Sequence, residues 1–154
     1  MVTKTLYFVQ HGQALSKETD PERPLSDAGI TQTTAIAQHL GRILPLSQIY
    51  HSDKLRARQT AEILATAFCV PPQNVKQHPH LSPNDDIQLL IPSLQDETLY
   101  VGHLPQLDKL CSYLLSGQED TGIIQFQNSA IICLQRSNNH YSIQSYLTPA
   151  LIVK

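Results

Sequence analysis

The 154-residue chain predicts an α/β domain: a three-layer αβα sandwich whose central sheet is mostly parallel and carries an antiparallel hairpin at one edge. Three observations support this expectation. Short apolar runs alternate with stretches of helical periodicity. Two of those runs, Thr5-Leu6-Tyr7-Phe8-Val9 and Thr98-Leu99-Tyr100-Val101, are nearly continuous in apolar character, as strands buried on both faces are. The C-terminal stretch reads as two strands around a Ser137-Asn138-Asn139 turn. Residues 1–154 are expected to form one domain, because this length supports one hydrophobic core and not two.

Taken in order, residues 4–9 read as a buried strand and residues 16–24 as a polar loop. Ser26 suits the N-cap of a helix carrying Ile30, Ala37, Leu40 and Leu44 at helical spacing, which Pro45 ends. Gln48-Ile49-Tyr50-His51 is a short strand, and Ser52 or Asp53 caps a helix running to about Phe68. Pro71-Pro72 marks a loop, a strand follows near residues 75–78, and a short helix spans about residues 86–90. Asp85 and Asp86 read as its N-cap pair rather than as acids. Pro105 suits the first turn of a helix to about Leu115, after which residues 116–122 form a polar loop. The hairpin then joins residues 129–135 to residues 141–146.

Composition narrows the partners. Apolar residues at 41% and charged residues at 16% describe an ordinary globular chain. A net charge of -2 gives no whole-molecule field for nucleic acid or an anionic membrane, so any anion must be recognised locally. Cys69, Cys111 and Cys133 are odd in number and widely spaced, which suits reduced, mostly buried thiols in a cytoplasmic protein and not a disulfide framework. No signal-peptide pattern opens the chain, and no apolar run approaches the ~20 residues of a membrane span. His78-Pro79-His80 places two imidazoles on one face of an extended segment, but no third ligand lies nearby in sequence, so no metal or other cofactor is expected. His39, His51 and His140 read as surface or junction residues.

Three distant segments carry the chemistry: Gln10-His11-Gly12 after the first strand, residues 52–60 opening a helix, and Gly102-His103-Leu104-Pro105 after another strand. Ligands of parallel sheets sit beyond the carboxyl ends of the strands, so two strands can present His11 and His103 to one substrate. A neutral imidazole at position 11 can attack phosphorus and form a covalent intermediate. Gly12, lacking a Cβ, would let the backbone approach the phosphate. Arg56 falls in a first helical turn, where free N–H groups and the helix dipole already favour an anion, and its guanidinium fork can grip two phosphoryl oxygens. Arg58, two positions on, points to another face and reads as a surface residue. His103, if protonated, can donate to a phosphoryl oxygen.

Together these segments resemble the histidine phosphatase (phosphoglycerate mutase-like) superfamily, whose signature is Arg-His-Gly after the first strand, an Arg-Ala-x-Gln-Thr helix start and a later Gly-His. Arg23-Pro24-Leu25-Ser26, Pro79-His80-Leu81-Ser82-Pro83, His103-Leu104-Pro105 and Ser129-Ala130-Ile131 extend the resemblance to the small SixA-type phosphohistidine phosphatases. The resemblance implies His11 as nucleophile, with Arg56, His103 and Arg23 binding phosphate, and a monomer acting on a phosphorylated histidine of a signalling or phosphotransfer protein. The family's mid-chain carboxylic acid has no clear counterpart here. An imidazole leaving group needs less acid help than an alkoxide, which favours phosphohistidine as substrate.

One position departs from the signature. Gln10 stands where the family has its first arginine, so a neutral amide replaces a charged fork in the phosphate site. Losing a charge-assisted hydrogen bond costs about 1.5–3 kcal/mol, on the order of 10- to 100-fold in binding or rate. Three outcomes follow: a weakened enzyme, a phosphohistidine-binding pseudophosphatase, or a small-molecule phosphomonoesterase. Lys17 and Arg23 are candidates to replace the missing charge.

Overall fold

The computed structural model describes residues 3–152, with Arg42 described by its backbone only. The strands are β1 (Thr3–Gln10), β2 (Gln48–His51), β3 (Val75–Gln77), β4 (Thr98–Gly102), β5 (Ile131–Ser137) and β6 (His140–Leu147). The helices are α1 (Asp27–Leu40), α2 (Leu55–Phe68), α3 (Ile87–Leu90) and α4 (Gln106–Ser116), with short 3-10 turns between elements. The strands form one sheet in the order β3-β2-β4-β1-β5-β6. The first four in that order pair in parallel, and β5 and β6 run antiparallel, as the sequence predicts.

The period of two along β1 and β4 divides the core into two layers. Tyr7, Val9, Leu99 and Val101 pack with α1 and α2, while Leu6, Phe8 and Tyr100 pack with α3 and α4. All of β4 is buried, which accounts for its unbroken apolar run. On α2 the buried stripe is Ala57, Thr60, Ala61, Leu64, Ala65 and Phe68. Its small residues let the helix backbone lie close to the sheet. A two-residue loop closes the β5–β6 hairpin, with Asn138 at a φ of 60° that asparagine tolerates.

Several local expectations change. Helix α1 stops at Leu40 and a 3-10 turn follows, so the chain leaves α-helical geometry before Pro45. Ile30 is 45% exposed; the face of α1 that enters the core is Gly29, Thr33, Ile36 and Ala37. Ser26 does cap α1, accepting from the Gly29 amide. On α2, however, the N-cap position is Lys54, because the Ser52 hydroxyl serves another partner. Asp86 caps α3, while Asp85 accepts from the Ser82 amide and closes the preceding turn. The last hairpin begins at Ile131, since Ser129 adopts a φ of 64° that interrupts strand geometry. His51 is buried, its Nδ1–H donating to the Ser52 carbonyl at 2.8 Å. Cys69 is exposed, whereas Cys111 and Cys133 are buried. No helix of the described residues is long and apolar enough to cross a membrane.

Gly29 shows how tightly α1 is pressed against the loop that follows β1. A Cβ there would run into the Gln13 carbonyl oxygen, which is backbone and cannot swing aside. Gly29→Ala is expected to lower stability by about 1–3 kcal/mol, the usual range for overpacking. Urea denaturation checks this, and an unchanged midpoint would show that the loop yields.

Candidate functional site

The site lies at the carboxyl ends of the parallel strands. Strands β1 and β4 pair with Val9 opposite Val101 and Gln10 opposite Gly102, so the next residues out are His11 and His103. The His11 amide continues the ladder, donating to the Gly102 carbonyl at 3.0 Å. The two imidazole rings lie 4.8 Å apart between centroids, tilted by 53°. The sheet register therefore brings together two histidines separated by more than half the chain.

The backbone around His11 is pinned on every side. The Ser129 amide donates to the Gln10 carbonyl at 2.9 Å, and Asn128 Nδ2 donates to the His11 carbonyl at 2.8 Å. The Gly12 amide donates to Thr60 Oγ1 at 2.9 Å, and that hydroxyl donates in turn to the Arg56 carbonyl at 2.8 Å. Gln59 Oε1 accepts from the Leu25 amide. The Gln59-Thr60 pair thus fastens the first turns of α2 to the loop carrying His11. Packing in the interior also calls for glycine at position 12. A Cβ there would sit 2.7 Å from Thr33 Oγ1 and 3.1 Å from Ser129 Oγ, the two hydroxyls that bond each other at 2.7 Å inside the fold.

The His11 tautomer follows from its partners. Its Nδ1 lies 2.7 Å from the Gly12 carbonyl, which can only accept, so Nδ1 carries the proton. Nε2 is then bare, and Arg56 Nε–H donates to it at 3.4 Å. Burial pushes the imidazole down to about 4; the Gly12 carbonyl opposes, and Arg56 and Arg23 add to the fall. His11 is accordingly neutral at pH 7, with a lone pair on the nitrogen that faces Arg56.

His103 is 2% exposed, and its Nε2 lies 2.6 Å from Ser52 Oγ. Burial, then His11, Arg56 and Lys54, push its imidazole down to about 3, so it is neutral at pH 7. Ser52 Oγ also accepts from the Lys54 amide at 3.2 Å, and its own proton is free to go to His103 Nε2, the arrangement in which the ring hydrogen sits on Nδ1. That buried Nδ1 has no hydrogen-bond partner among the described residues.

Arg56 and Arg23 complete the cluster. Arg56 occupies the first turn of α2, as expected. Burial and the neighbouring Arg23 hold its guanidinium below the usual arginine value. Arg23, at a φ of 49°, donates through Nε to the Leu15 carbonyl at 3.1 Å. A groove of about 380 Å³ runs past them, lined by Lys17, Pro21, Glu22, Arg23, Asp53, Lys54, Leu55 and Arg56. Four cationic side chains against two carboxylates give this groove a local positive field in a chain of net charge -2.

Gln10 is partly buried, and its Oε1 finds no donor among the described residues. Arg58 pairs with Glu62 on the surface of α2, as read from the sequence. His78 is held by Ser93 Oγ at 3.0 Å and by the His80 amide at 3.0 Å, and no group of three His, Cys, Asp or Glu suited to a metal occurs among the described residues. Ser52, Lys54, Thr60 and Asn128 were missed by sequence reasoning. Thr60 was visible inside the Arg-Ala-x-Gln-Thr pattern; Asn128 sits in a stretch without periodicity and left no signal.

Comparison with known proteins places these observations in context. Residues 6–82 match the model of the histidine phosphatase superfamily (branch 1). An uncharacterised protein of Picosynechococcus is 36% identical over 124 residues, covering 73% of this chain and 74% of that protein. Among solved structures, the protein histidine phosphatase SixA complexed with tungstate superposes with a TM-score of 0.83 at 24% identity, covering 96% of this chain and 98% of that one. A phosphoserine phosphatase from Entamoeba histolytica superposes with a TM-score of 0.70 at 16% identity, covering 94% and 97%. At these identities the structural likenesses speak for the fold.

Two measurements test the site. Thr60→Val keeps the shape but removes the acceptor of the buried Gly12 amide, and is expected to cost about 1–3 kcal/mol of stability; a change below about 0.5 kcal/mol in urea melts would show that Thr60 is not the anchor. The pH dependence has a defined sign. Both imidazoles titrate lower when folded than the 6.5 of the free side chain, so the unfolded chain takes up protons first as pH falls. Their contribution is full above 6.5 and is lost as pH falls through about 4 and about 3. The wild type should therefore lose more stability between pH 7 and pH 4 than His11→Gln/His103→Gln does; equal losses would contradict the depressed values.

Proposed function

From the premise that the chain belongs to the histidine phosphatase superfamily, we propose that it is a phosphatase acting on protein phosphohistidine, or a related labile phosphoryl group, through a phospho-His11 intermediate. The observation that carries this reading is the fixed tautomer of His11: Nδ1–H bound to the Gly12 carbonyl, with the Nε2 lone pair beside Arg56 and the His103 ring 4.8 Å away between centroids.

The first step is attack of His11 Nε2 on phosphorus. A new N–P bond forms, the bond to the substrate imidazole breaks, and its electron pair returns to the substrate nitrogen, which takes a proton from water. Arg56, Arg23 and the His103 Nδ1–H hold the phosphoryl oxygens as negative charge builds on them. Water then attacks the phosphorus of phospho-His11, releasing inorganic phosphate and restoring the neutral imidazole. Because burial already keeps His11 neutral, no base is needed to prepare it.

Two features favour phosphohistidine over an alcohol ester. Asp53, a carboxylate of the groove, is unsuited to be an acid: against slight burial, the Ser82 hydroxyl and the Lys54 ammonium hold it below the usual carboxylate value, so it has no proton to give at neutral pH. Asp85 and Asp86 are committed to a turn and a helix cap. The groove is also edged by exposed side chains, Lys17, Pro21, Glu22 and Asp53, which leaves room for a histidine on another protein. The SixA structure is named for a protein histidine phosphatase, which agrees with this reading.

Gln10 supports a second reading, a pseudophosphatase that binds phosphohistidine without turnover. Mass spectrometry after brief exposure to a histidine-phosphorylated protein separates the two. The enzyme reading expects a phosphate adduct on His11, absent in His11→Ala, and a gain of about 10- to 100-fold in turnover for Gln10→Arg. Wild-type turnover no greater than that of His11→Ala would leave the binding module.

A further inference from the structure

The phosphate-handling reading leaves one charge to be accounted for. Position 10 carries a neutral amide, and its oxygen engages none of the site's cations. We propose that Lys54 contacts the bound phosphoryl group and supplies the positive charge that Gln10 does not. The inference rests on the phosphate-handling reading above and names a further residue for it.

Backbone placement is the first argument. Lys54 is the N-cap residue of α2, two positions before Arg56, and its amide donates to Ser52 Oγ, the same hydroxyl that meets His103 Nε2 at 2.6 Å. The segment that orients His103 therefore also fixes where the Lys54 side chain starts. Lys54 lines the groove together with Arg23 and Arg56. Its charge is felt at His103, after burial, His11 and Arg56.

The second argument is availability. Lys54 Nζ lies 3.6 Å from Asp53 Oδ2, with the two side chains 41% and 49% exposed. A pair that open to water is worth only about 0–1 kcal/mol, so an anion can draw the ammonium away at little cost. Asp53 stays behind, held by Ser82 Oγ at 3.0 Å, and its pairing with Lys54 keeps the lysine beside the groove. An ammonium has three donors on a flexible stem and suits an oxyanion as a point charge, in contrast to the planar fork of arginine.

Other cations fit less well. Lys17 lines the groove from an exposed loop, without the link through Ser52 to His103 that fixes the backbone of Lys54. Arg23 belongs to the expected phosphate set already, so it adds nothing that position 10 has lost. Arg58 is exposed, paired with Glu62, and does not line this groove.

Calorimetric titration with inorganic phosphate tests the inference across a double-mutant cycle. Lys54→Met should weaken binding by about 10-fold or more, Lys54→Arg should restore most of it, and thermal stability should be unchanged in both. In the Gln10→Arg background, where the charge is restored from β1, Lys54→Met should cost less than about threefold. An equal loss in the two backgrounds, or no loss in either while Arg56→Ala still weakens binding, would overturn the inference and leave the phosphate site standing. If Arg56→Ala also leaves the affinity untouched, the phosphate-handling reading falls and the inference with it.

Discussion

The parallel pairing of β1 with β4 is the constraint on which the site depends. Its register sets Gln10 opposite Gly102, and the next ladder bond, from the His11 amide to the Gly102 carbonyl, places the two imidazoles side by side. A slip of one residue would turn Leu6 and Phe8 toward the layer now filled by Tyr7 and Val9, and would carry His11 to the opposite face as well. The apolar packing on the two faces of β1 thus fixes the register, and the register fixes the chemistry. The geometry of the site is a by-product of the apolar packing of β1 and the fully buried β4.

Around that pair, polar groups hold His11 without charging it. Each contact to its backbone comes from a neutral donor or acceptor, Thr60, Asn128, Ser129 or Gly102, in a region where water is scarce. Scarce water is also what depresses the imidazole, since burial disfavours the protonated form. The same burial that stabilises the fold therefore keeps His11 neutral, with a free lone pair, at neutral pH. Positive charge comes instead from Lys17, Arg23, Lys54 and Arg56, which line the groove beside the histidines, so the electrostatic work is separated from the positioning work.

Helix α2 joins the two tasks. Its buried stripe of alanines brings its N-terminal turns against the sheet, where Thr60 fastens the His11 loop and Arg56 faces the His11 lone pair. Ser52, just ahead of the helix, turns His103 instead of capping the helix. Gln106 does comparable work on the other face: it is 1% exposed and donates to the His80 carbonyl at 2.6 Å, tying the mid-chain segment to α4. That segment then presents Ser82 to Asp53.

The sequence by itself determined the α/β class, the parallel interior with an antiparallel edge, and the identity of His11, Arg56 and His103 as residues worth attention. These follow from local signals: apolar runs mark buried strands, helical periodicity marks the layers, and histidines at strand ends fall where α/β sheets bind ligands. The protonation state of His103, the interior reason for Gly12, the exposure of Ile30 and the commitments of Ser52 and Thr60 were decided only by tertiary structure. Each depends on which group from a distant segment arrives at 3 Å, or on how much water is excluded, and neither quantity is encoded in the spacing of neighbours along the chain. A serine before a helix looks like a cap until the fold brings a histidine to its hydroxyl.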